Sequence, residues 1–306
     1  MRVWILLAFV SACFLGFYDV AQKRSFVNSA VIPVLLLNTF FSTIIFLPLI
    51  VLSYNGNIDA NSLLYVLPRD VVIHLKIFIK SLLALVPCWL ACLGLKHLPI
   101  TIVGLINAFR PVLVLLGALT FFGERLSIFQ WVGVILATVS FYLLSINGAK
   151  EGINFKSNKW IIFVVLANIL WAFCGLYDKY LLAPSDMGGV EISVMNVLVW
   201  YNIYQFLLMS LVFVIFWLPK YYKKMSFQWS WWILLVSIFL SCAEITYFYS
   251  LGLEEAMISI VSMIRRSSVV VSFVIGAWMF KEKNIKNKAV DLFLILISMI
   301  FLCIGN

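Results

Sequence analysis

Ten stretches of roughly twenty apolar residues follow one another along the chain, each long enough to cross a bilayer. They cover 3–21, 29–52, 71–95, 100–122, 128–146, 160–182, 192–218, 229–253, 256–280 and 285–304. Inside hydrocarbon every backbone N–H and C=O must find a partner within the chain, so only helices and closed barrels can cross. Barrel strands alternate apolar and polar residues over about ten positions; these solid runs do not. The expected fold is an all-α membrane protein of ten transmembrane helices. Composition agrees: 64% of the residues are hydrophobic and 11% charged, where a soluble domain has about a quarter charged. The longest polar connections, 53–70, 147–159 and 219–228, leave no room for a soluble domain.

The formal charge of +9 invites a nucleic-acid partner. Its distribution argues against one, because the basic residues sit in short connections, where they set topology. Connections after odd-numbered runs hold thirteen of them: Lys23, Arg24, Lys96, Lys150, Lys156, Lys159, Lys220, Lys223, Lys224, Lys281, Lys283, Lys286 and Lys288. The opposite side holds Arg2, Arg69 and Arg125, with Lys76 just inside a run. The bias places the odd connections in the cytoplasm and both termini outside. Val3–Ala21 runs into Gln22, Lys23 and Arg24 without a small-residue cleavage site, so it reads as a first span rather than a leader. The expected location is an integral, multi-pass position in a bacterial inner membrane. The six cysteines all lie in apolar runs without CxxC spacing, and Cys88 and Cys92, one turn apart, read as packing rather than metal ligands. No cofactor is called for.

The chain repeats itself. Residues 93–125, LGLKHLPITIVGLINAFRPVLVLLGALTFFGER, align without a gap on 251–283, LGLEEAMISIVSMIRRSSVVVSFVIGAWMFKEK, with ten of 33 positions identical. GFYD at 16–19 pairs with GLYD at 175–178. Two halves follow, 1–150 and 158–306, with five spans each. Five is odd, so the halves enter the membrane from opposite sides. Inverted repeats of this kind favour a substrate site at their interface, near the bilayer midplane, with alternating access by rocking of the halves.

The LGL turns (93–95 and 251–253), the endings FGER (122–125) and FKEK (280–283), and ILWAFCGLYDKYLL (169–182) resemble the drug/metabolite transporter superfamily, and within it the EamA-type ten-helix branch. The resemblance covers the whole chain. It implies a ten-helix basket whose central cavity is lined by the first, third and fourth helices of each half. It also implies transport of a small metabolite, from a range that includes amino acids, nucleotide sugars, sugar phosphates and drugs.

Charges at membrane depth are the sharpest pointers to a site. Arg110 lies within about 2 Å of the centre of its run, and Arg265 and Arg266 about 5 Å from the centre of theirs, at 1.5 Å per residue. Each costs about 2.5–3.5 kcal/mol even on the lower insertion scales. Glu244 is the carboxylate at comparable depth, with Ser241 and Tyr247 on its face. The repeat pairs Trp89 with Tyr247 and Asn107 with Arg265. The expected binding set is therefore Trp89, Asn107, Arg110, Glu244, Tyr247, Ser262, Arg265 and Arg266. One carboxylate does not balance three guanidiniums, which points to an anionic or zwitterionic substrate forked by arginine. An internal ion pair between Glu244 and one arginine is the alternative for that carboxylate, which is otherwise the candidate for proton coupling.

Tyr18, Asp19, Tyr177 and Asp178 lie about 10 Å from their span centres. They are candidate gates, or else helix-end anchors paired with Lys23 or Lys179. Glu124 and Glu282 read as loop caps paired with Arg125 or Lys283, His74 and His97 as interfacial residues, and Trp200, Tyr201 and Gln205 as packing. A transporter is the function these features favour. A lipid-linked phosphate translocase or auxiliary membrane subunit is the second reading. An enzyme is disfavoured, since HExxH, GxSxG and CxxC are absent. The partners expected are a small-molecule substrate, the bilayer and a coupling proton, with no nucleic acid.

Overall fold

The computed structural model describes residues 3–59, 62, 64–67, 70–110, 112–113, 127–149, 155, 157–182, 185, 188–220, 227–251, 261, 264–282 and 284–304. Among these no strand occurs. The helices are α1 (Val3–Ser25), α2 (Val31–Tyr54), α3 (Val71–His97), α4 (Ile100–Ala108), α5 (Ile128–Ala149), α6 (Lys159–Leu182), α7 (Val194–Val212), α8 (Trp231–Leu251), α9 (Ser268–Met279) and α10 (Ile285–Ile304). α7 runs on through a π-helical turn, Phe213–Trp217, into Leu218–Lys220. Ile264–Arg266 form a helical turn ahead of α9. Their order along the chain follows the ten apolar runs. Among the described residues, six segments, α1, α2, α3, α5, α6 and α7 with its π-turn, are long and apolar enough to cross a membrane, with mean hydropathy 1.8–2.3. Trp231–Tyr247 of α8 is a shorter apolar helix.

The two halves interleave rather than stand side by side. α1 packs on α8, and its counterpart α6 packs on α3. α1 also meets α9, as α6 meets α4; α2 meets α8, as α7 meets α3. α2, α4 and α5 each pack on their own counterparts α7, α9 and α10. These main contacts map onto one another when the halves are exchanged, while a lesser one between α4 and α10 has no such match among the described residues. Small residues let the backbones approach where these helices cross. A Cβ on Gly16 of α1 would stand 2.5 Å from Cβ of Val271 and 2.9 Å from the Ser268 carbonyl oxygen, and one on Gly276 of α9 would run into Cγ2 of Ile100.

Polar groups tie the helix ends. The Lys23 ammonium donates to the carbonyls of Leu95, Lys96 and Leu98, which α3 leaves without helical partners at its C-terminus. Lys96 in turn donates to the Ser29 carbonyl at 2.7 Å. Lys23 therefore closes a helix end and is not the partner of Asp19. His97 stacks on Trp160, ring centroids 3.7 Å apart. His74 packs edge-on against Trp200 and lies 2.9 Å from the Tyr204 hydroxyl. Lys288, counted above with the connections, lies fully buried in α10.

Candidate functional site

Asn107 and Arg110 sit three residues apart at the end of α4, hence on one side of the helix. That side meets α6, where Asn168 is 1% exposed. The Arg110 Nε donates to Asn168 Oδ1 at 2.9 Å, and Asn168 Nδ2 donates to Asn107 Oδ1 and to the Val164 carbonyl, both at 2.9 Å. Trp171, one turn further along α6, places its ring 5.8 Å from the guanidinium. The amide spends both its functions, so it fixes the orientation of Arg110 without neutralising the charge. Sequence reasoning passed over Asn168. Its signal was an amide in the middle of the run 160–182, one turn before a tryptophan.

Arg265 forms an ion pair with Glu244 of α8, and its guanidinium lies 4.1 Å from the centre of the Tyr247 ring. Glu244 and Tyr247 are three residues apart and close around Arg265 together. This geometry is the internal-pair alternative for Glu244, and it accounts for one of the three arginines. Arg266, the next residue, points elsewhere by the helical advance of about 100°. Asp19 of α1 lies in the electrostatic field of both Arg110 and Arg266. Neither Asp19 nor Arg266 has a direct hydrogen-bond or ion-pair partner among the described residues.

Asp19 lines a small cavity with Gln22 of α1, Ala91 of α3, Asn107 of α4 and Ser272 of α9. Ile100 and Gly104 of α4 form part of its wall. Of the expected residues, Asp19 and Asn107 line this cavity; Arg110 is tied to Asn107 through Asn168, and Arg265 holds Glu244 and Tyr247. Trp89 is 41% exposed and shares the outward face of α3 with Leu82 and Val86, away from the cavity lining. Ser262 lies outside the described residues.

The other tyrosine–aspartate pair is bound to a neighbouring helix. Lys80 of α3 reaches Asp178 at 2.8 Å and lies 4.9 Å from the Tyr201 ring centre, while the Tyr177 hydroxyl donates to the Lys76 carbonyl at 3.1 Å. The cation on Asp178 is thus Lys80 from across the interface. Tyr18, by contrast, accepts from Gln22 within its own helix at 2.8 Å. The two aspartates match in sequence and differ in partner: Asp178 has an ion pair and Asp19 has none among the described residues.

A second polar cluster lies at the N-terminus of α4, beside Ile100 of the cavity wall. Glu282, just past α9, accepts from the backbone N–H of Ile100 at 2.6 Å and from the Thr101 hydroxyl. The buried Lys288 ammonium lies 3.6 Å from the same carboxylate. Asp291, one turn along α10, accepts from Asn147 of α5 at 2.9 Å. Glu282 caps not a loop but the helix α4 of the other half, with the Lys288 ammonium beside it and Lys23 in its field. Glu124, Arg125 and Lys283 lie outside them.

Apolar helices of membrane length, with ion pairs made between separate segments of the chain, define a multi-pass integral membrane protein. The model of the EamA-like transporter family matches residues 2–146 and again 158–304, and the chain belongs to that family. A solved structure titled only "Crystal structure of protein" shares the fold, with a TM-score of 0.62 over 99% of this chain and 98% of that one at 15% identity. No curated protein matches the chain.

Proposed function

We propose that the protein is a secondary active transporter that moves a small polar metabolite, anionic or zwitterionic, by alternating access. In this reading ten spans form two inverted five-helix repeats, 1–150 and 158–306, in a bacterial inner membrane, with both termini outside. One observation carries the reading: the charges at membrane depth are unequal and partly unspent. Arg265 is satisfied by Glu244. Arg110 is oriented by a neutral amide, and Asp19 and Arg266 have no direct partner among the described residues. Three guanidiniums against two carboxylates leave one positive charge for a ligand. Arg110 and Arg266 supply forked donors for its carboxylate or phosphate, and Asp19 an acceptor for an ammonium or hydroxyl. Proton coupling is assigned to the carboxylates of the cluster. Protonation of Glu244 would release Arg265, so proton binding and rearrangement of the cluster are linked there.

The test is uptake by proteoliposomes across a panel of amino acids, sugar phosphates, nucleotide sugars and a polyprenyl phosphate. A soluble metabolite taken up in saturable fashion, with the uptake lost in Arg110→Gln and Arg266→Gln, is the expected outcome. Flipping of the polyprenyl phosphate alone would favour the lipid translocase. Unchanged uptake in both variants would remove these arginines from the site.

A further inference from the structure

The Glu282 cluster stands at one end of the cavity and spends its bonds between the two halves. Its carboxylate holds the first N–H of α4 and the neighbouring Thr101 hydroxyl, while its own chain position joins α9 to α10. Ile100, whose N–H it binds, is also a wall of the cavity and presses on the α9 backbone at Gly276. Holding Ile100 in place therefore holds α4 and α9 together where the cavity would otherwise open. Lys288, 0% exposed, supplies the counter-charge. The repeat sets Gln130 opposite Lys288, at the same place in α5. Gln130 is spent locally: its Oε1 accepts from the Ser127 N–H at 2.9 Å, and its own N–H donates back to the Ser127 hydroxyl. Among the described residues the buried ammonium at this position belongs to the second half alone.

We propose that Glu282, Lys288, Thr101 and the N-terminus of α4 form a latch that shuts the cavity on this face and opens during the transport cycle. By the charge bias of the connections this face is cytoplasmic. In this proposal the latch holds the inner door closed. A carboxylate serving as a helix cap suits the task. It binds strongly through a charge-assisted bond to a backbone donor, and on release water from the cytoplasm can solvate the donor, the carboxylate and the ammonium. A door made of packed hydrocarbon alone would lack that exchange of partners. The latch rests on the alternating-access reading above.

Its test reads accessibility and needs no substrate. In a background with all six cysteines replaced, Ser272→Cys places one thiol in the cavity wall. Inside-out vesicles are treated with a membrane-impermeant maleimide from the cytoplasmic face. With the latch intact labelling is slow. In Glu282→Ala and in Lys288→Gln it rises about tenfold, a shift within the usual range of coupling between sites. If Glu282→Ala does not assemble, Glu282→Gln, which keeps the acceptor and loses the charge, takes its place. Folding is checked by the melting temperature of the purified variant. Parental labelling rates in folded variants overturn the latch and make the cluster a static cap. Because no transported compound is involved, that result is separate from any failure to find a substrate. Uptake without cytoplasmic opening would refute the latch and leave the transporter standing.

Discussion

Arg265 and Arg110 show how two buried guanidiniums can be given different work. Arg265 meets a carboxylate and an aromatic face, so removing it leaves Glu244 charged and alone. Arg265→Gln should cost about 3 kcal/mol of stability, as breaking a buried pair does, and Arg265→Gln with Glu244→Gln should recover most of it. Thermal unfolding in detergent measures both. Arg110 meets an amide, so Asn168→Leu frees its guanidinium without removing a charge. That variant should raise the KM for uptake while sparing the maximal rate, whereas loss of assembly would lower the amount of protein instead. Arg110, Arg265, Arg266 and Glu244 stood out in the sequence because a charge in an apolar run is rare enough to name itself, and Tyr247 because it shares the face of Glu244. Asn168 was not, since one amide in a membrane helix has many uses. Lys288 was hidden for another reason: it stands among Lys281, Lys283 and Lys286 and so reads as one more connecting charge. Trp89 failed for a third. The repeat fixes its position along α3 but not its face. Its counterpart Tyr247 is held inward by Arg265, while the residue matched to Arg265, Asn107, turns to Asn168 on another helix.

At the scale of elements, the crossings of α1 and α4 with α9 decide the shape of the cavity. Gly16 lets α1 lie against Ser268 and Val271, and Ser268 is the repeat counterpart of Arg110. On one side of the molecule a small pair brings two helices together. On the other an arginine bridges α4 to α6 through Asn168. Gly16→Val should push α1 off α9 and lower stability by about 1–3 kcal/mol, the usual cost of overpacking. Circular dichroism melts in detergent measure the loss, and a parental melting temperature would show that α1 does not lie this close. Helix order was readable from the apolar runs because hydrocarbon forces the backbone into helices. Which helix faces which was readable only in part. The repeat implies that contacts exchange between the halves, but hydropathy patterns cannot select a neighbour when lipid and protein interior are equally apolar.

The whole molecule is held together mainly between its halves. α1, α2 and α5 lie chiefly against α8, α7 and α10, all of which come from the other repeat. The matching family segments at 2–146 and 158–304 are therefore repeats in sequence without being separate folding units. The inverted arrangement can be tested directly. Alkaline phosphatase joined after Asn306 should be active, as a domain outside the cytoplasm is, and the same enzyme joined within 150–157 should be silent. Activity at both junctions would overturn the topology. Splitting the chain within 150–157 should give two polypeptides that assemble when made together, and neither should accumulate alone. The interleaving also has a consequence for biosynthesis. When the ribosome has delivered the first five helices, their partners do not yet exist, and surfaces that will bury α8, α7 and α10 face lipid or the insertion machinery. A stop codon near the middle of the gene would yield an unfinished interface rather than half a transporter, which makes it a natural substrate for membrane proteases.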